Sequence, residues 1–398
     1  MFDIKKEAEA LSPSIISWRR ELHQIPECGY QLPKTAAYVC AQLDAMGIPY
    51  ETYPDHSGIT AMIGNKEGKV IAIRADMDAL PIQEATELSY ASTHPGKMHA
   101  CGHDCHVAIA LGTAKLLKKH EDELPGKVKL IFQPAEEVPP GGAILMKQQG
   151  VLENPHVDAV LGIHVIEKNN PAPGSFLIRS GGYMAGDDII HLTIYGKGGH
   201  AAHPCKCVDP IVVSSALIMN LQTLISRNTE PAKSAVVSIT DIRGETGTDN
   251  ILPHEVKMIG TIRNDDKKTR EMLLQRFREI VDGTTKAYGA TYDLQLVPDY
   301  PVLENDPSLT QLAVKSIEKL YGKDSVIYEN FCYMGGDDFA FLLEDIPGCY
   351  FLLDTSQPAK DGSIYPPHSP QFLADDSVLY KGTAAFAQIV LDYLSENV

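Results

Sequence analysis

The sequence predicts an α/β protein whose parallel sheet, covered on both faces by helices, is interrupted by an inserted α+β unit. Three observations carry that expectation. Between residues 69 and 164, short apolar runs alternate with helical patterns, as a parallel sheet with crossover helices requires. Between residues 187 and 297 the order becomes strand, helix, strand, strand, helix, strand, which is the ferredoxin-like pattern. Beyond residue 299 the α/β character returns, so the insertion splits the first domain into two segments. The expected boundaries are 1–183 and 299–398 for the split domain and 184–298 for the insertion, and a length of 398 residues suits two domains.

The elements follow in order. Residues 2–22 read as a helix with Ile4, Ala8, Leu11, Ile15, Ile16 and Trp18 partly periodic and Pro13 as an interruption. A second helix covers 35–46 and stops at Gly47. The run 69–74, between Gly68 and the acids Asp76 and Asp78, reads as a buried strand opening into a polar loop. An apolar helical run covers Val107 to Leu117. Strand 127–132 is stopped by Pro134, a short helix spans 141–149, and a third strand spans 157–164. In the insertion, strands at 187–196, 234–243, 255–263 and 291–297 enclose helices at 209–227 and 267–287. Helices at 307–320 and 337–345, a strand at 349–353 and a long helix from about 376 to 394 complete the chain. No repeat or low-complexity tract interrupts it.

Composition bounds the function. The formal charge is −17, from 35 basic and 52 acidic residues, which argues against a broad surface for nucleic acid or anionic membrane. Hydrophobic residues make up 44% and charged residues 22%, ordinary for a globular protein with a large core. The 8 cysteines have no framework spacing, no apolar run approaches the ~20 residues of a membrane span, and the first residues lack the apolar stretch of a secretory signal. The expectation is a reduced, soluble, cytoplasmic protein.

Chemistry concentrates in Met98-His99-Ala100-Cys101-Gly102-His103-Asp104-Cys105-His106. Such a cluster is a metal site, a redox thiol pair, or a helix N-terminus with polar residues. Cysteine and histidine bind zinc-like ions, and Gly102 lets the backbone bend so that Cys101 and His103 face one point. In Gln133-Pro134-Ala135-Glu136-Glu137, adjacent carboxylates on a regular strand would face opposite ways, but Pro134 ends the strand. One carboxylate can then ligate while its neighbour meets a water; the bland reading is two solvated acids. His164 lies in an apolar stretch, where a satisfied core histidine is the common case, and His368 sits in a proline-stiffened loop. Asp76 and Asp78 read as groups that orient histidines or as loop caps. Asp76, Asp78, Glu136, Glu137 and His164 all fall at or just after strand ends, where ligands collect in parallel sheets.

The glycines of Gly196-Lys197-Gly198-Gly199-His200 are not a phosphate loop, since no Gly-Lys-Ser/Thr follows. His200 there is placed to reach across a cleft, and Cys205 and Cys207 read as incidental thiols, with a metal or redox role as the alternative. No Gly-x-Ser-x-Gly elbow is present, so a serine hydrolase of the α/β type lacks its nucleophile motif.

Taken together, Met98–His106, Gln133–Glu137, Gly162–His164, Gly199-His200 and Pro367-His368 resemble the amidohydrolases that include hippurate hydrolase and the plant auxin-conjugate hydrolases. That group is a branch of the aminoacylase and carboxypeptidase G metallopeptidase family, and the likeness runs from Arg20-Glu21-Leu22-His23 to the final helix. The resemblance implies a zinc-peptidase-like α/β catalytic domain with an inserted ferredoxin-like lid or dimerisation domain. It implies two divalent ions (Zn, Mn, Co or Ni) on Cys101, His103, Glu137, His164 and His368, with Cys101 near both. Glu136 would be the general base, His200 would polarise the scissile carbonyl, and Asn250 would help bind substrate. The implied reaction is hydrolysis of N-acyl amino acids, N-acetyl or aromatic, by a homodimer or homotetramer joined through the insertion. A dipeptidase or carboxypeptidase on the same scaffold is the alternative, and a zinc protein without turnover is another. Against the last, structural zinc sites need no base, whereas Glu136 adjoins a ligand. Cysteines at 105, 205 and 207 and the run Met334-Gly335-Gly336-Asp337-Asp338 depart from the family pattern and bear on substrate preference.

Overall fold

The computed structural model describes residues 2–168 and 173–395. The chain divides into two compact units. One comprises Met1–Gly181, Glu304–Asn330 and Asp338–Val398; the other comprises Gly182–Leu303 and Phe331–Asp337.

The first unit is built on an eight-stranded sheet. Its order is Tyr50–Thr52, Ile59–Ile63, Lys127–Gln133, Val70–Asp76, Ala159–Ile166, Gly348–Asp354, Phe176–Ile178, Val326–Tyr328. The four central strands, Lys127–Gln133 to Gly348–Asp354, run parallel. The sheet as a whole is mixed, because Ile59–Ile63 and Phe176–Ile178 join their inner neighbours antiparallel. Val70–Asp76 and Gly348–Asp354 are buried at every position, as expected of parallel strands covered on both faces. Helices Ile4–His23, His103–Lys119 and Leu379–Ser395 pack on one another beside the sheet, burying Ile15, Leu22, Leu111, Leu117, Phe386 and Val390.

Four strands of this sheet, Tyr50–Thr52, Ile59–Ile63, Phe176–Ile178 and Val326–Tyr328, were not expected from the sequence, and four expected helices differ from the reading. Pro13 does not interrupt the first helix, which runs from Ile4 to His23 because its buried face, Ile4, Ala8, Ile15, Trp18 and Leu22, outweighs one missing N–H. The apolar run after the Cys/His cluster is the body of a longer helix beginning at His103, so four residues of the cluster form its first turn. The helix expected at 337–345 shrinks to Ala340–Leu343. The helix expected at 209–227 is α-helical over Pro210–Thr223 and continues as a π turn over Leu224–Asn228.

The second unit carries a four-stranded antiparallel sheet ordered Ala235–Arg243, Glu255–Asn264, Gly186–Tyr195, Thr291–Pro298. In chain order this is 2-3-1-4, the topology of a ferredoxin-like unit. Helices Pro210–Thr223 and Lys267–Tyr288 cover one face, where Ile190, Leu192, Ile194, Val213, Leu217 and Phe277 form the core. A short ladder pairs Gly199–His200 with Ile251–Leu252. Among the described residues no helix is long and apolar enough to cross a membrane.

Candidate metal centre

The parallel strands deliver their C-terminal ends to one place in the first unit. Val70–Asp76 ends level with Gln133, and the chain then turns at Ala135, whose φ of 56° lies in the left-handed region. That turn, one residue beyond the expected bend at Pro134, is what lets the neighbouring Glu136 and Glu137 serve one site. Asp78 holds it: its Oδ1 accepts from the Glu136 N–H at 2.9 Å and its Oδ2 from the Glu137 N–H at 3.1 Å. The two readings of Asp78 are therefore both realised, since its carboxylate caps the loop while its backbone oxygen lies 2.8 Å from His103 Nδ1.

Gly102 starts the cluster helix at φ 83°, and a Cβ there would lie 2.3 Å from Val165 Cγ2, so only glycine fits. Cys101 and His103 flank it. Cys101 Sγ lies 3.3 Å from His164 Nε2, and His368 Nε2 lies 3.1 Å from Glu137 Oε1. The His368 loop is tied to the cluster by its own N–H, which donates to the Ala100 carbonyl at 2.7 Å. His103 Nε2 is buried without a hydrogen-bond partner, 3.9 Å from Glu136 Oε2. The donor atoms of Cys101, His103 and His164 lie within 4.8 Å of one another, as do those of Cys101, Glu137 and His368 and those of His103, Glu136 and Glu137.

The electrostatics match a cation site. Burial pushes the Cys101 thiol well up, opposed by His103, so a nearby cation is what would make it a thiolate. Burial and the neighbouring His106 hold His164 well below the usual imidazole range, in the neutral form that ligates. Burial raises the Glu137 carboxyl, but His368 and His103 more than offset it and keep it anionic. Burial disfavours a charged His103, yet Asp76 and Asp78 raise its pKa well above the usual value. The Nδ1 atoms of His103 and His164 both bond backbone carbonyls, those of Asp78 and Val165, which turns both Nε2 atoms toward the other donors. A buried unpartnered nitrogen, a thiol and carboxylates in overlapping sets fit a pair of divalent ions.

His200 and Asn250 belong to the second unit, where the Gly199–His200 ladder brings them together: the Asn250 carbonyl accepts from the Ala201 N–H at 2.9 Å. His200 Nδ1 accepts from the Ala202 N–H at 3.1 Å, which places the ring proton of the neutral histidine on Nε2. Cys205 and Cys207 are free thiols, as are Cys101 and Cys105.

Sequence reasoning missed the support behind the cluster. Buried Asp104 forms an ion pair with Arg19, Oδ2 lying 2.8 Å from Nε, and bonds His23 Nδ1 at 2.8 Å, and Arg74 bonds both Asp76 and Asp338. A buried charge at a non-motif position such as Arg19 has no local signature; charged residues two apart in Arg74-Ala75-Asp76, inside an apolar run, were the available signal.

Comparison with known proteins agrees with this centre. The family model described as Peptidase family M20/M25/M40 matches residues 72–392. Thermostable carboxypeptidase 2 of Saccharolobus solfataricus is 38% identical over 98% of this chain and 98% of its own length. The IAA-amino acid hydrolase ILR1-like 2 of Arabidopsis thaliana is 36% identical over 98% of this chain and 88% of its own. Among solved structures, the YXEP protein of Bacillus subtilis, described as a dinuclear metal binding peptidase from the M20 family, superposes with a TM-score of 0.85. It is 33% identical, and the match covers 98% of this chain and 99% of that one. With donor sets for two ions at the ends of its parallel strands, the chain belongs to peptidase family M20/M25/M40 and is a metal-dependent amidohydrolase.

Proposed function

We propose that the protein hydrolyses the amide bond of N-acyl amino acids, N-acetyl or aromatic N-acyl, releasing a carboxylate and a free amino acid. The observation that carries this reading is Glu136, a carboxylate beside a full ligand set with its backbone pinned by Asp78. Cys101, His103, Glu137, His164 and His368 would hold two divalent ions, Zn, Mn, Co or Ni. Such ions, when bound, polarise an amide oxygen and acidify water. Glu136 takes the attacking water's proton and hands it to the leaving nitrogen. His200, whose Nε2–H is a donor, polarises the scissile carbonyl as negative charge grows on its oxygen. Asn250, just before the partner strand of the His200 ladder, contributes to substrate binding. The likeness to an IAA-amino acid hydrolase supports the N-acyl class. We place the enzyme in the cytoplasm as a homodimer or homotetramer joined through the inserted unit.

A carboxypeptidase or dipeptidase is the second reading, favoured by the 38% identity to a thermostable carboxypeptidase. A screen of N-acetyl and aromatic N-acyl amino acids against dipeptides and blocked peptides, with each metal supplied in turn, separates the two. The role of Glu136 is tested in the same assay. Glu136→Gln keeps both ions and loses at least the ~10²–10⁴ in kcat typical of an acid–base group. Glu137→Gln instead weakens metal binding. Elemental analysis giving the opposite pattern would exchange the two roles.

A further inference from the structure

His106 is one of two histidines of the cluster, with His99, that the proposed reaction leaves without a task. Its ring is buried and packs edge-on against His164, with centroids 4.6 Å apart. His106 Nε2 lies 2.9 Å from the backbone nitrogen of Val165. A backbone N–H can only donate, so Nε2 presents a lone pair and the ring proton sits on Nδ1. Nδ1 is 2.5 Å from Asp76 Oδ1. The other Asp76 oxygen receives Arg74 Nη1 at 2.5 Å, and Arg74 Nη2 donates to Asp338 Oδ1 at 2.7 Å. Gln133 closes the line, accepting from Arg74 Nε at 2.9 Å and donating to both Asp338 oxygens. Every side chain in it is buried.

We infer that His106 is a positioning residue for His164, and that the line Asp338–Arg74–Asp76–His106 exists to fix the peptide at Val165. Both polar groups of that residue are held by imidazoles. Its N–H donates to His106 and its carbonyl accepts from His164 Nδ1. Val165 is therefore clamped, and the direction of His164 Nε2 is set by that clamp. The inference rests on His164 being a metal ligand, as in the proposed function.

The donors of Asp76, His103 and His106 also lie within 4.8 Å of one another, which invites the competing view that these three hold an ion themselves. The hydrogen bonds argue against it. Both His106 nitrogens are already committed, and ligation through Nε2 would leave the buried Val165 N–H unpaired.

The test uses the full-length enzyme with Zn²⁺ or Mn²⁺, measuring metal affinity by competition with a chelator. His106→Leu should still saturate at two ions per chain but bind one of them about 10–100-fold more weakly, the usual loss for a group that orients a ligand. His106→Gln, whose amide can accept from Val165 and donate to Asp76, should recover to within about tenfold of wild type. Wild-type affinity in the leucine variant, a lost equivalent at saturation, or no recovery by glutamine each overturns the inference. Should the leucine variant fail to fold, ¹⁵N-histidine NMR of the wild type decides. His106 Nε2 should keep its unprotonated, hydrogen-bonded signature with and without metal, while His164 Nε2 moves on metal addition. A His106 Nε2 that becomes metal-bound, or a His164 that ignores the metal, overturns it. Neither measurement uses turnover, so failure to hydrolyse N-acyl amino acids would leave the result standing.

Discussion

Among the described residues, Cys101 is the side chain whose donor lies within 4.8 Å of those of His103 and His164 and also of those of Glu137 and His368. If two cations share that corner, as the proposed function requires, they need a charge there that a thiolate supplies and a serine hydroxyl, rarely ionised, does not. Cys101→Ser should lose metal and activity together; full metal content with wild-type turnover would remove Cys101 from the site. The neighbouring Gly102 makes a conformational demand. Alanine at φ 83° costs about 1–2 kcal/mol from the left-handed backbone alone, and its Cβ must also displace the Val165 side chain. Gly102→Ala should therefore lower the unfolding free energy by at least ~1 kcal/mol and weaken metal binding with it. Denaturant titration and elemental analysis check both, and an alanine variant as stable as wild type would show that the loop can relax. The motif around Cys101 was legible in the sequence because its residue types are rare together. Much of the chemistry around it was not, since His106 and Arg74 act through atoms that no spacing predicts.

At the scale of elements, strand ends and caps were readable and interruptions were not. Gly47 ends its helix at φ 65°, as glycine after a periodic run leads one to expect. Pro13 misleads because a proline's local cost is fixed while the burial opposing it depends on partners elsewhere in the chain. Its exposed position in Ile4–His23 leaves the Glu9 carbonyl without its helical N–H. Pro13→Ala should raise the unfolding free energy by up to about 3 kcal/mol, and the melting temperature with it, with kcat and KM unchanged. A fall in melting temperature would mean that the helix is shaped by the proline and packs less well without it. The helix expected at 337–345 shrank for a related reason. Asp338 gives its carboxylate to Arg74, Gln133 and the Ala143 N–H, so tertiary partners hold the backbone where a helix would otherwise start.

For the whole molecule, the proposed mechanism requires the two units to act together, and His200 is where that requirement can be measured. If its Nε2–H serves the carbonyl oxygen only as charge develops there, His200→Ala lowers kcat and kcat/KM alike, by about 10²–10³, with metal content unchanged. Metal lost from this variant would sink the assignment, because a group that meets only substrate is not needed to hold ions. Altered stability with unchanged kinetics of the folded fraction would make His200 a packing residue of its glycine-rich turn.

The sequence by itself determined the α/β class, the inserted β-α-β-β-α-β unit and the short list of residues able to ligate or move a proton. Those properties are local: hydrophobic period, turn residues and donor chemistry are written in windows of a few residues. Only the tertiary structure decided that antiparallel pairings flank the parallel centre of the large sheet and that donors from four distant segments meet in overlapping sets of three, each set within 4.8 Å. It alone decided that one aspartate holds both glutamates and that the nitrogens of His106 are spent on Asp76 and Val165. Pairings across 59 residues, as between His106 and Val165, depend on strand register and on how closely buried groups pack, and neither is a property of any short stretch of chain.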